Sequence, residues 1–186
     1  MSASRLFVLG VIHRQRQAHG YKVHRELMTW QADKWTSLKP GSIYHALGQL
    51  EKEQFVRATG GIQESKEGPS RTTYELTDAG VGEFTKIERL VLQNDDLNIE
   101  LFAAGLAFMQ VLPRAEVLSL LKARHQTLMS TADFMHNLPV SDNPPNPSEF
   151  PPLVGLWSGF FDQLITHSSD LIHDIENHRY VFVSED

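Results

Sequence analysis

No cysteine occurs anywhere in the 186 residues. Disulfides, thiolate catalysis and Cys-ligated zinc or iron–sulfur centres are therefore excluded, and a reducing cytoplasm is the expected location. The chain also lacks an apolar run of membrane-spanning length. Its start, Met-Ser-Ala-Ser-Arg-Leu, does not have the basic-then-apolar order of a signal peptide, so no membrane partner is expected. Proline is sparse except in one place, because six of the nine lie between Pro139 and Pro152. Basic residues are sparse in the second half: residues 94–186 carry 4 Lys/Arg against 13 Asp/Glu, whereas residues 1–93 carry 13 against 10. The net charge of −6 thus conceals a first half at +3 and a second at −9. A polyanion would have to be met by the first half.

The stretch from Trp35 to Glu51 is the most informative part of that half. Ile43, Ala46, Leu47 and Leu50 recur at i, i+3, i+4 and i+7, the apolar stripe of a helix. Pro40 suits its first turn, where the missing N–H would have no intrahelical partner. The opposite face carries Ser42, Tyr44, His45 and Gln49, preceded by Ser37 and Lys39, and has no carboxylate until Glu51. Solvated helix faces usually carry Glu and Lys, which pair at i,i+4. Short or planar donors and acceptors instead suit phosphates and base edges.

Around this helix the pattern is that of a winged helix-turn-helix. A first helix spans 4–16, and a second opens at His19-Gly20-Tyr21 and ends by Trp35, leaving helix-turn-helix spacing before the third. After Glu53 two β-prone segments, 55–59 and 71–76, flank a long glycine-containing tip that holds Lys66, with Arg71 and Thr72 beside it. Such a hairpin reads as a wing, with Lys66, Arg71 and Thr72 added to the DNA-facing set. Thr77 is an N-cap candidate for a helix running towards Gln93.

The second half reads as helical throughout. Leu97 to Met109 is strongly apolar, and from Arg114 to about Leu138 the residues Leu118, Leu121, His125, Leu128, Ala132 and Met135 repeat at spacings of 3 and 4. The proline-rich segment 139–152 reads as an extended connector. A last helix, from Leu153 to about His178, has a seam of Leu153, Trp157, Phe160, Leu164, Leu171 and Ile175, and a second stripe of Phe161, Ile165 and Ile172. Two stripes on one helix imply a partner subunit over the second. The expected fold is mainly α with a small β-hairpin wing: a DNA-binding domain over 1–93 and a helical dimerisation domain over 94–186.

Three stretches carry a family resemblance: His19-Gly20-Tyr21, Lys39-Pro40-Gly41-Ser42-Ile43-Tyr44-His45-Ala46-Leu47, and Arg71-Thr72-Thr73-Tyr74-Glu75-Leu76-Thr77-Asp78-Ala79-Gly80. In order and spacing they resemble the PadR family of winged-helix transcriptional regulators, and the resemblance covers nearly the whole chain. It implies a homodimer held by C-terminal helices. It also implies double-stranded operator DNA as partner, and repression relieved by a small aromatic or hydrophobic effector. Phe102, Phe108, Met109, Trp157, Phe160 and Phe161 are candidates for one effector cavity, or else simply for core. The chain departs from the family at Gln54-Phe55, where many members have a glycine turn.

Other readings are weaker. Gly155-Leu156-Trp157-Ser158-Gly159 lacks the serine position of a nucleophile elbow, and Gly80-Val81-Gly82 lacks the third glycine of a dinucleotide loop, so neither an enzyme nor a cofactor is expected. Asp170, His173, Asp174 and His178 have ligand-like helical spacing, but surface polarity accounts for them better than a metal. A winged helix used only for protein interaction is the alternative to DNA binding.

Overall fold

The structure, a computed structural model, describes residues 2–59, 72–138 and 149–182. The chain forms two compact units. The first holds Met1–Val91 and Asp96–Met109, and the second holds Leu92–Asp95 and Gln110–Asp186.

In the first unit α1 (Ala3–Gln15) supplies an unbroken buried run from Leu6 to Ile12. α2 (Gly20–Thr29) is followed by a 3-10 turn (Ala32–Lys34) and then α3 (Pro40–Lys52). α3 buries Ile43, Leu47 and Leu50 of the stripe its sequence period predicts, while Ala46 is only half-buried and lines an open groove, and Pro40 occupies its first turn. β2 (Val56–Thr59) and β3 (Thr73–Leu76) pair antiparallel with Val56 opposite Leu76. A third strand is present that the sequence pattern does not reveal. β1 (Ala18–His19) pairs with β3, so the strand order is β1-β3-β2. Two residues cannot display a period of two, which is why His19 reads as part of a turn. His19 also caps α2, its Nδ1 accepting from the Lys22 N–H at 3.0 Å.

The joint between helix-turn-helix and wing is built on one carbonyl. α3 ends with the Gln54 N–H donating to Glu51 O at 3.0 Å and the Phe55 N–H donating to Leu50 O at 2.9 Å. This double bond pattern needs a left-handed residue after the helix. Gln54 takes that conformation, at φ 63°, one that glycine adopts without steric cost. The Phe55 carbonyl then accepts from the Thr77 N–H at 3.0 Å. Thr77 caps α4 (Asp78–Gln93) as its residue type predicts, its Oγ1 accepting from the Gly80 N–H at 3.0 Å. A β-carbon on Gly80 would overlap the Phe55 oxygen, so only glycine lets α4 start so close to the end of α3.

α5 (Ile99–Phe108) packs against α1 in this unit, although the division by charge assigns it to the second half. Phe108 lies in the core, 5.9 Å from Trp30 and from Phe84 and 6.4 Å from Phe7 between ring centroids. Gly10 of α1 has no side chain, and a β-carbon there would strike the Phe108 ring.

In the second unit α6 (Arg114–His136) and α7 (Pro151–Glu176) pack on one another. Two expectations need correction. Pro151 and Pro152 lie in the first turn of α7 rather than in a connector, since proline is as well suited to a helix start as it is unsuited to a helix interior. Residues 139–148 of the expected connector lie outside the described residues. Second, α7 buries Phe161, Ser168, Leu171 and Ile175, while Leu153 and Leu156 are exposed, so the buried face joins Leu171 and Ile175 of the expected seam to Phe161 of the second stripe. α6 buries Val117, Leu121, Arg124, Leu128 and Ala132. The tail is docked: the Arg114 guanidinium donates to the carbonyls of Ile175 and Tyr180 and lies 4.7 Å over the ring of Phe182, which is fully buried.

Candidate nucleic-acid interface

With Ile43, Leu47 and Leu50 turned inward, helical geometry leaves Ser42, Tyr44, His45 and Gln49 on the outer side of α3. Tyr44 and His45 are exposed, and Ser42 and Gln49 are half-buried. Ser42, His45 and Gln49 line an open groove of about 590 Å³ that they share with Ser2, Ser4 and Arg5 at the start of α1. Glu53 also lines the groove and pairs with Arg5, at 2.6 Å between Oε2 and Nη1. Glu83 adds a second contact at 3.4 Å, and the guanidinium lies 5.2 Å over Phe55. Arg5 is thus a brace for the α3–wing joint. Among the described residues, the face itself carries no carboxylate between Lys39 and Gln49.

Tyr44 has a packing role as well. A β-carbon on Gly20 would come within 2.5 Å of its ring, so glycine at the start of α2 lets the ring lie against that helix. The residue nevertheless remains about half exposed (53%). This close approach ties the His19-Gly20-Tyr21 stretch to the α3 stretch.

The residues ahead of α3 divide. Lys39 is exposed. Ser37, also exposed, is engaged within the protein: its N–H donates to Glu100 Oε1 and its Oγ to Glu100 Oε2, both at 2.8 Å. Nothing in the sequence links positions 63 residues apart. On the wing side Thr72 is exposed at the start of β3, while Lys66 and Arg71 lie outside the described residues. Sequence reasoning passed over one exposed wing cation, Arg57 on β2, whose Nε is 2.6 Å from Glu75 Oε1. Gln17 donates to the other Glu75 oxygen at 3.0 Å. These two hydrogen bonds, that of Gln17 foremost, hold the Glu75 carboxyl below the usual carboxylate range.

The six effector candidates fall into two sets. Phe102, Phe108 and Met109 are buried in the first unit. Trp157, Phe160 and Phe161 form an aromatic trio on α7 with centroid separations of 5.8, 6.2 and 6.4 Å. Phe161 is buried against Leu128 and Ala132, and Trp157 packs on that cluster half-exposed. Among the described residues no group of His, Asp and Glu is arranged to hold a metal. No described helix is long and apolar enough to cross a membrane.

A three-helix core, a recognition helix with a polar outer face and an antiparallel wing define a winged helix-turn-helix domain. Residues 8–86 match the Transcriptional regulator PadR-like family. Among solved structures, the chain is similar to Bacillus subtilis PadR in complex with operator DNA (19% identity, 92% of this chain and 98% of that one, TM-score 0.41). It is also similar to the same protein in complex with p-coumaric acid (17%, 94% and 99%, TM-score 0.40) and to a PadR-like regulator from Bacillus cereus (16%, 94% and 98%, TM-score 0.37). A comparison with curated proteins returned no match.

Proposed function

We propose that the protein is a sequence-specific DNA-binding transcriptional regulator, a homodimeric repressor that leaves its operator when a small aromatic or hydrophobic molecule binds. The observation that carries the DNA reading is the outer face of α3 from Ser42 to Gln49, partly exposed and without carboxylates, in a segment that matches the PadR-like family. Ser42, His45 and Gln49 are assigned to the major groove, Tyr44 and Lys39 to phosphates or base edges, and Lys66, Arg71 and Thr72 to the backbone beside the wing.

Dimerisation is supported by apolar surface on the second unit, where Phe134, Leu153 and Leu156 are 59%, 49% and 66% exposed. Two recognition helices about 34 Å apart would then read a roughly palindromic site in successive major grooves. For the effector, the half-exposed Trp157–Phe160 edge of the aromatic trio is the favoured contact. A ligand preferring one dimer spacing about a hundredfold shifts the population by roughly 2.7 kcal/mol, which suffices to release an operator.

The test is a gel shift of the protein's own upstream region at two salt concentrations. Lys39→Ala should flatten the dependence of log K on log salt by about one unit and leave base preference unchanged. Absence of binding at both salt concentrations would leave the protein-interaction module as the better reading.

A further inference from the structure

We propose that Ser37 is a phosphate-binding residue whose site is filled, in the DNA-free protein, by the carboxylate of Glu100, so that α5 carries a built-in competitor for the operator backbone. The inference rests on the DNA reading above and adds to it a specific anion site and its occupant.

Ser37 offers two donors, and each takes one oxygen of the same carboxylate, N–H to Oε1 and Oγ to Oε2, both at 2.8 Å. That is the length of charge-assisted hydrogen bonds, and the two-point arrangement selects a group presenting two equivalent anionic oxygens. A phosphodiester presents the same pair. The donors are held in place by their neighbours on either side. Thr36 Oγ1 donates to Ala32 O at 2.6 Å and accepts from the Leu38 N–H at 3.1 Å, and Leu38 is buried. Lys39, exposed two residues further on, supplies positive charge to the same turn.

The placement is also where DNA would be met. In helix-turn-helix proteins the start of the recognition helix approaches the duplex, and serine hydroxyls and backbone N–H groups make many of the phosphate contacts. A carboxylate bound at that point opposes an incoming phosphate by charge and by occupancy. Glu100 has no ion-pair partner among the described residues, so Ser37 is what holds it. Rotation of one side chain in the first turn of α5 would vacate the site and expose both donors. The carboxylate therefore sets a threshold that DNA must overcome, and anything that draws α5 or its side chain away lowers that threshold.

The experiment uses the full chain. Glu100→Ala should bind the operator fragment about two- to fivefold more tightly than the parent, the scale of one surface charge interaction, with Glu100→Gln in between because it removes charge but keeps an acceptor. Ser37→Ala should cost more affinity in the Glu100→Ala background than in the parent, since only there is the site open at the outset. Independently of DNA, inorganic phosphate titrated into ¹⁵N-labelled protein should shift the Ser37 amide in Glu100→Ala and leave it unmoved in the parent. Weaker operator binding by Glu100→Ala would make Glu100 a brace for the turn and overturn the proposal, as would a Ser37 amide indifferent to phosphate in that variant. Should no variant and no parent protein bind DNA, the DNA reading fails, and the phosphate titration alone decides whether the anion site exists.

Discussion

In the first unit one backbone oxygen, that of Phe55, receives the N–H of Thr77 and touches Gly80, so the end of α3, the end of β3 and the start of α4 meet at a single point. In the second unit α6 and α7 meet along a mainly apolar seam of Leu121, Leu128, Ala132, Phe161, Leu171 and Ile175, and the one backbone carbonyl of α7 that Arg114 grips lies at the end of that seam rather than along it. The two arrangements tolerate sequence change differently. A joint built on a carbonyl demands particular residues at particular offsets, while a seam demands apolar volume at a spacing of 3 and 4. A family signature can therefore be read across residues 8–86, where motif positions have individual steric reasons.

The largest expected effect tests the joint itself. Gly80→Ala places a methyl on the Phe55 carbonyl, which backbone on both sides prevents from yielding, so a loss of at least about 3 kcal/mol is expected in urea denaturation. Gly82→Ala on the same helix is the control. Among the described residues nothing lies within 4 Å of the added methyl, and the substitution should stabilise by about 0.5–1 kcal/mol. Equal effects at the two positions would show that the joint does not depend on close approach.

A second test concerns a carboxyl that the first unit buries completely. Glu88 is 0% exposed and neither of its oxygens has a hydrogen-bond partner among the described residues. Burial pushes its pKa up from 4.5 to about 9. Below about pH 4.5 both folded and unfolded chains hold the proton, and the contribution to stability is at its best. As the pH rises from there towards 9, the unfolded chain releases a proton that the folded one keeps, and stability falls by about 1.4 kcal/mol per unit. Glu88→Gln should remove this slope and gain on the order of 2 kcal/mol at pH 7. Parallel stability–pH curves for parent and variant between pH 5 and 9 would show that Glu88 reaches solvent or a counter-charge.

Most of the architecture was legible in the sequence for identifiable reasons. Pro40, the Ile43–Leu47–Leu50 stripe, Thr77 and the β-prone pair of segments each act locally, and each sits where its chemistry predicts. Less legible was anything that depends on a distant partner. β1 exists only because β3 is beside it, and the Ser37–Glu100 pair spans the helix-turn-helix turn and α5. In α6, spacings of 3 and 4 admit two registers, and the sequence favours His125 as the inward residue. The structure buries Arg124 instead, at 2% exposure. An arginine can lie in a seam because its long apolar stem packs like a hydrophobe, which a polar-or-apolar pattern does not express.

The third test returns to the joint with a substitution that should help. Gln54 bears a side chain in the left-handed conformation at φ 63°, which costs an ordinary residue roughly 1 kcal/mol relative to glycine. Gln54→Gly keeps the backbone hydrogen bonds to Glu51 and Leu50 and removes that cost. The gain should be somewhat under 1 kcal/mol, because glycine also gives the unfolded chain more freedom. A loss of stability would mean that the glutamine side chain makes up for its own strain.

The smallest effect should come from the seam, and its sign is what matters. Ser168 is 5% exposed on the inner side of α7, and its Oγ has no hydrogen-bond partner among the described residues. It follows Phe161 by seven residues and precedes Ile175 by seven, on the packed side of the helix in both directions. A buried hydroxyl without a partner carries a desolvation cost that alanine does not, and the volume given up is a single oxygen. Ser168→Ala should therefore stabilise the second unit by about 0.5–1 kcal/mol, with helix propensity acting in the same direction. Thermal unfolding at one fixed protein concentration measures it. If Ser168→Ala instead lowers the midpoint, the hydroxyl has a partner in the assembled protein. The α6–α7 seam would then be as residue-specific there as the Phe55 joint, and the contrast between the two units would not hold at that position.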